Sequence, residues 1–133
     1  MSAHRPVTPP STEAHPAWGL TAALLGLTAV ALGAVAAHAV ADAQAVQALE
    51  RASLYQLIHA LAILYAAGLP GRAALLARSL LLAGIVLFCG SIELKYLFAV
   101  TQATTIAPTG GVALMLGWLM LGVSALTRSV SKR

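Results

Sequence analysis

Four long apolar stretches, separated by short polar or glycine- and proline-containing segments, make up most of the chain. They cover residues 17–41, 52–69, 73–100 and 106–126. An α-helix rises about 1.5 Å per residue, so each stretch is close to or above the length needed to cross a hydrocarbon core of about 30 Å. The pattern predicts an all-α fold, an integral membrane four-helix bundle whose consecutive spans alternate in direction.

The polar segments set the predicted domain boundaries. Residues 1–16 contain prolines and hydroxyl residues and are expected to be a disordered tail, whereas residues 128–133 form a basic C-terminal tail. The four-span transmembrane domain takes up residues 17–127. Between the first two spans, residues 42–51 form either a short amphipathic helix at the interface or a plain loop. Residues 68–71 and 102–105 are expected to be turns.

Composition supports a membrane protein and excludes several functional classes. Of 133 residues, 59% are hydrophobic and only 9% are charged, a balance that soluble globular domains do not show. The single cysteine, Cys89, permits neither an intramolecular disulfide nor a cysteine metal site, and we expect it to be a small buried residue. The basic residues behind the net charge of +4 lie at span ends and form no groove, so no nucleic-acid partner is expected.

The basic residues also predict the orientation. One side carries two of them, Arg51 and Lys95, and the other side carries six, namely Arg5, Arg72, Arg78, Arg128, Lys132 and Arg133. The positive-inside rule therefore predicts that the N- and C-termini are cytoplasmic. Arg78, near the start of the third span, is expected to hold its guanidinium at the interface.

Polar side chains interrupt the spans at several positions that alternating helices would bring to the outer half of the membrane. Tyr55, Gln56 and His59 share one face of the second span and should look into protein. Glu93 lies inside the third span, where a charge needs a partner, and His59 is the expected one. The complete predicted polar site comprises His38, Tyr55, Gln56, His59, Glu93, Pro108, Gly110 and Gly111.

Each of these features has a functional and a structural interpretation. His38 and His59 on neighbouring helices are a haem-ligand pattern, but their depths differ by about 9 Å, so ordinary hydrogen bonds and no cofactor or metal are expected. A pair of His59 and Glu93 is either a proton or cation site or a structural hydrogen bond. The segment of residues 108–111 is either a broken-helix ligand site or a helix start that packs against Gly33.

Five short motifs carry a family resemblance. They are the stretches of residues 33–39, 55–62, 87–91, 106–111 and 117–118, with sequences GAVAAHA, YQLIHALA, LFCGS, IAPTGG and GW. In this order they resemble the YgdD-like and transmembrane protein 256 family of small four-span membrane proteins, a domain of unknown function numbered 423. The resemblance implies a four-helix protein of the bacterial inner membrane and implies no reaction. The chain departs from the family pattern at Glu93 and Cys89.

The functional hypothesis is a non-enzymatic one, because no nucleophile with a base and no phosphate-binding loop is present. Ala29, Gly33 and Ala37 recur every four residues, a spacing that allows another helix to approach closely. We therefore expect a structural or accessory protein of a membrane complex, multi-pass in the bacterial inner membrane. Its partners are the lipid bilayer and either another membrane protein or a second copy of the chain. The alternative is a small-solute or proton-coupled transporter with an outer-side polar site.

Overall fold

Four α-helices and one 3₁₀ helix form the part of the chain that the structure, a computed structural model, describes: residues 16–131, with side chains for residues 16–127. Helix α1 is Pro16–Ala39, α2 is Ala43–Ala67, α3 is Arg72–Phe98 and α4 is Ala107–Ser131, with the 3₁₀ helix Thr101–Ile106 before α4. The predicted all-α, four-helix membrane fold is confirmed. The predicted disordered tail falls almost entirely outside the described residues.

The helices pack in chain order as an open row. Each neighbouring pair is antiparallel, with α1 against α2, α2 against α3 and α3 against α4. One contact marks each pair: the Ser53 hydroxyl bonds to α1, the Arg78 guanidinium bonds to α2, and Gly117 lies against Leu81. Within residues 16–131, α1 and α4 do not pack along each other, so α1 and α4 are the two edges of the row.

Three segments of the described chain are long and apolar enough to cross a membrane: Pro16–Ala39, Arg72–Phe98 and Thr101–Thr127. Helix α2 is not among them, because polar and charged residues interrupt its first half and Gln56 and His59 its second. It nevertheless lies between α1 and α3 and packs antiparallel to both. The crossing of α2, and with it the count of four spans, stays a prediction.

Of the two interpretations of residues 42–51, the loop is wrong, and the helix is right in type but not in extent. These residues are neither a separate helix nor a loop, because α2 begins at Ala43 and continues without a break to Ala67. Asp42 is its N-cap, and the Asp42 carboxylate accepts a 2.7 Å hydrogen bond from the Ala45 amide. A capped first turn has one fewer amide without a partner, which stabilises the helix start. At the other end of the chain, α4 extends to Ser131, into the segment predicted to be a tail.

Apolar side chains pack inside the row and also cover its outside. Alanines fill much of the interior, together with four larger apolar residues that are fully buried, Leu49, Ile63, Leu81 and Cys89. The burial of Cys89 agrees with the prediction from the sequence. Outside, Leu27, Leu61 and Met115 on three different helices are 66%, 59% and 65% exposed. A soluble monomer rarely exposes so continuous an apolar surface. Lipid chains are the environment that matches it.

Gly33 and Gly110 both allow close helix approach, but to other helices than the sequence suggested. A Cβ built on Gly110 would lie 2.8 Å from the Leu87 carbonyl carbon, so α3 and α4 touch backbone to backbone there. Gly33 instead faces Ser53 of α2, whose hydroxyl would be 3.0 Å from such a Cβ. The predicted packing of residues 108–111 against Gly33 is therefore wrong, because the partner of this segment is α3.

Candidate functional site

Gln56 joins α2 to α1. Its side chain is 5% exposed, and its Nε2 donates hydrogen bonds to the Leu25 carbonyl oxygen at 2.9 Å and to the Thr28 hydroxyl at 2.7 Å. One turn earlier on the same face, the Ser53 hydroxyl donates to the Ala29 carbonyl oxygen at 2.7 Å. Polar groups inside a membrane bundle act in this way to hold helices together. Both hydrogen bonds of the Gln56 amide nitrogen are thus made to α1.

We expect Gln56→Leu to lower the free energy of unfolding by about 0.6 to 1.7 kcal/mol, the range measured for hydrogen bonds between membrane helices. The loss stays small because the Thr28 hydroxyl keeps its bonds to the Leu24 and Leu25 carbonyls. Unfolding in mixed detergent and SDS micelles measures the effect. Gln47→Leu, the same change at an exposed position of α2, is the control. Equal stability of the two variants would contradict the interhelical role.

His59 lies at the centre of an aromatic cluster that we define as Tyr55, His59, Phe88 and Trp118. The imidazole is 6% exposed, and its Nδ1 lies 2.5 Å from the Tyr55 carbonyl oxygen. The Tyr55 ring stacks on it at 5.9 Å between centroids, and the Trp118 ring meets it edge-on at 6.1 Å. Phe88 completes the cluster at 5.4 Å from Tyr55. The cluster therefore links α2, α3 and α4.

The bond at Nδ1 determines what the His59 ring offers. A carbonyl oxygen only accepts, so Nδ1 carries the hydrogen, and in the neutral ring Nε2 is left as an acceptor. No carboxylate pairs with the ring among the described residues. In the same part of the chain, no three His, Cys, Asp or Glu side chains converge as metal ligands would. The arrangement can hold or pass a single proton at Nε2, and it offers no nucleophile with a base.

The predicted polar site does not form as one cluster. Around Phe88 the structure brings together Tyr55, Gly110 and Gly111, and His59 joins them by stacking on Tyr55. Four predicted members lie apart: His38 is exposed in the last turn of α1, Gln56 faces α1, Glu93 is half-buried, and Pro108 is exposed in the first turn of α4. No hydrogen bond or ion pair joins Glu93 to His59 within the described residues.

The sequence argument missed the surroundings of three important side chains. Phe88 and Trp118 complete the aromatic cluster, and the Trp118 side chain remains half-exposed. Arg78 was expected to hold its guanidinium at the interface, and this placement stays a prediction. The sequence did not show that protein encloses this side chain, which is 4% exposed. A signal was available for Arg78, because it is the only charged residue between Arg72 and Glu93, in an otherwise apolar helix.

The family model described as "Protein of unknown function (DUF423)" matches residues 32–111, which include Tyr55, His59, Phe88 and Gly110. The chain belongs to this family. The DUF423 match confirms the resemblance that the five motifs suggested. No solved structure matches the chain.

Three curated relatives of this DUF423 protein are named as membrane proteins. The chain is 35% identical to the UPF0382 membrane protein YwdK of Bacillus subtilis over 115 residues, which cover 78% of this chain and 91% of the relative. It is also 35% identical, over 105 residues in each case, to UPF0382 membrane proteins of Staphylococcus aureus and Haemophilus influenzae. These matches cover 74% of this chain and 86% and 85% of the relatives. The DUF423 chain is accordingly a membrane protein embedded in lipid.

Proposed function

We propose that this DUF423 protein is a non-enzymatic, multi-pass protein of the bacterial inner membrane that acts as a structural or accessory component of a membrane complex. The observation that carries the proposal is the use made of its buried polar groups. Ser53 and Gln56 donate their hydrogen bonds to α1, and His59 donates one within its own helix. A transport pathway needs polar groups that face a solute. Here Ser53 and Gln56 bind α2 to α1, and no solute is needed to satisfy them.

Within the described chain, the open row leaves one side of each edge helix without a packed helix, and a partner in the membrane plane can bind there. Helices α2 and α3 each have two helical neighbours, whereas each edge helix packs along only one. The edges also carry large exposed apolar side chains, such as Leu27 on α1 and Met115 on α4. Lipid covers such surfaces adequately, and another transmembrane helix covers them equally well when its shape fits. The occupant is either another membrane protein or a second copy of this chain.

Photo-crosslinking in native membranes tests the proposal. A benzophenone-bearing phenylalanine analogue replaces Leu27 or Met115 at the edges, or Leu61 on α2 as the control for background labelling. We expect a discrete protein adduct from at least one edge position, which mass spectrometry identifies as a second copy or another membrane protein. Background labelling alone at both edges, together with a monomer after purification in mild detergent, would contradict the accessory role.

A small-solute or proton-coupled transporter is the second candidate, and one observation favours it. The Nε2 of the largely buried His59 ring makes no hydrogen bond to the described residues and remains available to a proton or solute. Proton flux into proteoliposomes is the measurement. If this function holds, His59→Ala should abolish flux that the wild-type chain supports, and Glu93→Gln should reduce it. Flux that both variants leave unchanged would remove these residues from any mechanism.

A further inference from the structure

Arg78 is a cation enclosed where three helices meet. Its side chain is 4% exposed although it lies in a helix that otherwise faces lipid and apolar side chains. From α3, the guanidinium carbon reaches to 5.3 Å from the Trp18 ring centroid of α1, and Nη1 donates to the Ala66 carbonyl oxygen of α2 at 3.3 Å. The guanidinium carbon lies over the face of the Trp18 ring, an arrangement that favours a cation.

One edge of this guanidinium has no partner. A guanidinium presents its N–H groups as a fixed fork, and the Nε and Nη2 hydrogens point the same way along one side of it. Nε is buried without a hydrogen bond, and Nη2 makes none to the described residues, since the only bond of the group is the one from Nη1. Two parallel donors on one edge match two oxygens of a carboxylate or phosphate.

The described residues supply no counter-charge for that edge. Glu93 is fifteen positions further along α3, or about 22 Å at 1.5 Å per residue. Asp42 and Glu50 lie near the start of α2. Because α1 and α2 are antiparallel, the start of α2 lies beside the end of α1, a full helix length from Trp18. Arg72, in the first turn of α3, adds a second positive charge at the Arg78 end. An enclosed charge without a partner is costly in a membrane protein.

We propose that the Nε and Nη2 edge of Arg78 is a binding site for a phosphate group. Arg78 lies six positions into α3, about 9 Å along the axis from the helix start. From there the guanidinium reaches Trp18 in the first turn of α1 and Ala66 in the last turn of α2, so it lies near the helix ends, toward the headgroup phosphates. The phosphate comes from the headgroup of an acidic phospholipid or from free phosphate, and the donor geometry is the same for both. Arg72 adds attraction for an anion without enclosing it.

Binding to the full-length, delipidated protein in detergent tests this site. The probes are dioleoyl phosphatidylglycerol, dioleoyl phosphatidylcholine and inorganic phosphate, read out by thermal unfolding and by native mass spectrometry. We expect phosphatidylglycerol or inorganic phosphate to raise the Tm of the wild-type protein, and phosphatidylcholine to raise it less. A rise with phosphatidylglycerol alone identifies the lipid as the source, and a rise with inorganic phosphate alone identifies the free anion. Equal effects of phosphatidylglycerol and phosphatidylcholine, with none from inorganic phosphate, would overturn the proposal.

Variants assign the binding to one guanidinium edge. Arg78→Lys keeps the charge and loses the fork, so affinity should fall by about tenfold, as expected for one lost charge-assisted bond. Arg78→Gln should abolish binding, and the lysine variant and the wild-type measurements still decide the matter if the glutamine variant does not fold. The matched control is Arg72→Gln at the same end of α3, which should bind nearly as the wild type does. Wild-type affinity in Arg78→Lys would overturn the proposal.

Glu13 is the acidic residue that lies outside the described range, three positions before α1. An ion pair of Arg78 with the Glu13 carboxylate is the alternative to a bound phosphate. The variant Glu13→Gln separates these two explanations. Unchanged phosphate binding in this variant supports the site as proposed. A wild-type protein that no phosphate probe affects, together with a lower Tm for Glu13→Gln, would show an internal ion pair and overturn the proposal.

Discussion

Replacing Gly110 by valine is expected to lower the free energy of unfolding by about 3 kcal/mol or more, the upper range for inserting atoms into a packed interior. The new Cβ would lie 2.8 Å from the Leu87 carbonyl carbon and 2.9 Å from the Leu87 Cβ, with the Phe88 amide nitrogen closer still. Backbone atoms cannot rotate aside as a flexible side chain can, so α3 and α4 must separate. The helix propensity gained on losing a glycine is at most about 1 kcal/mol, too little to compensate.

Gly111→Val is the matched control for this change. It introduces the same atoms one position later on α4, where the nearest atom to a new Cβ is Phe88 Cδ2 at 4.0 Å. Thermal and SDS-induced unfolding of both variants in the same detergent gives the comparison. Because Phe88 belongs to the aromatic cluster, the Trp118 fluorescence spectrum should also shift in Gly110→Val. Similar midpoints for the two variants would show that α3 and α4 do not approach as closely as described.

Leu81→Ala is expected to cost about 2 kcal/mol, near the lower end of the range for deleting a buried leucine. Leu81 is fully buried and packs against Gly117 of α4, where a Cβ would be 2.7 Å from its Cγ. In a membrane the transfer part of the cost shrinks, because the unfolded helix leaves its leucines in lipid. The cavity part remains. The free energy of unfolding of this variant is measured by SDS-induced unfolding in the same detergent.

Two further variants make that prediction specific. Leu76→Ala deletes the same atoms from an exposed position of α3 and should change stability by less than about 0.5 kcal/mol. Gly117→Val alone should destabilise, since it collides with Leu81, but combined with Leu81→Ala it should restore part of the loss by filling the cavity. Additive effects in this double-mutant cycle would contradict direct packing of the two positions.

The sequence was sufficient for the helices that carry a continuous apolar stretch. The third span was predicted at residues 73–100 and is the helix Arg72–Phe98, because a membrane requires one length of apolar helix and leaves few alternatives. The beginning of α2 was missed for the opposite reason, since its first turns are polar. Asp42 followed by alanine, glutamine and leucine residues was nevertheless a helix-start pattern.

The candidate site was harder to predict, because it depends on how each helix is rotated against its neighbours. Gln56 and His59 are three positions apart and both buried, yet one bonds to α1 and the other meets Trp118 of α4. A helix in the middle of a row has two packed sides, and periodicity does not say which neighbour covers which side. The same limitation applies to Gly33 and Gly110, which were expected to meet and face different helices.

The open row also bears on how the chain enters the membrane. The extensive helix contacts join helices that follow one another in the sequence, and the contact of His59 with Trp118 joins α2 to α4. No closing contact between α1 and α4 is required within residues 16–131. Loops that must be closed are therefore short, and a low contact order favours rapid assembly. The hairpin of α1 and α2, with its Ser53 and Gln56 bonds, can be complete while α4 is still being synthesised on the ribosome.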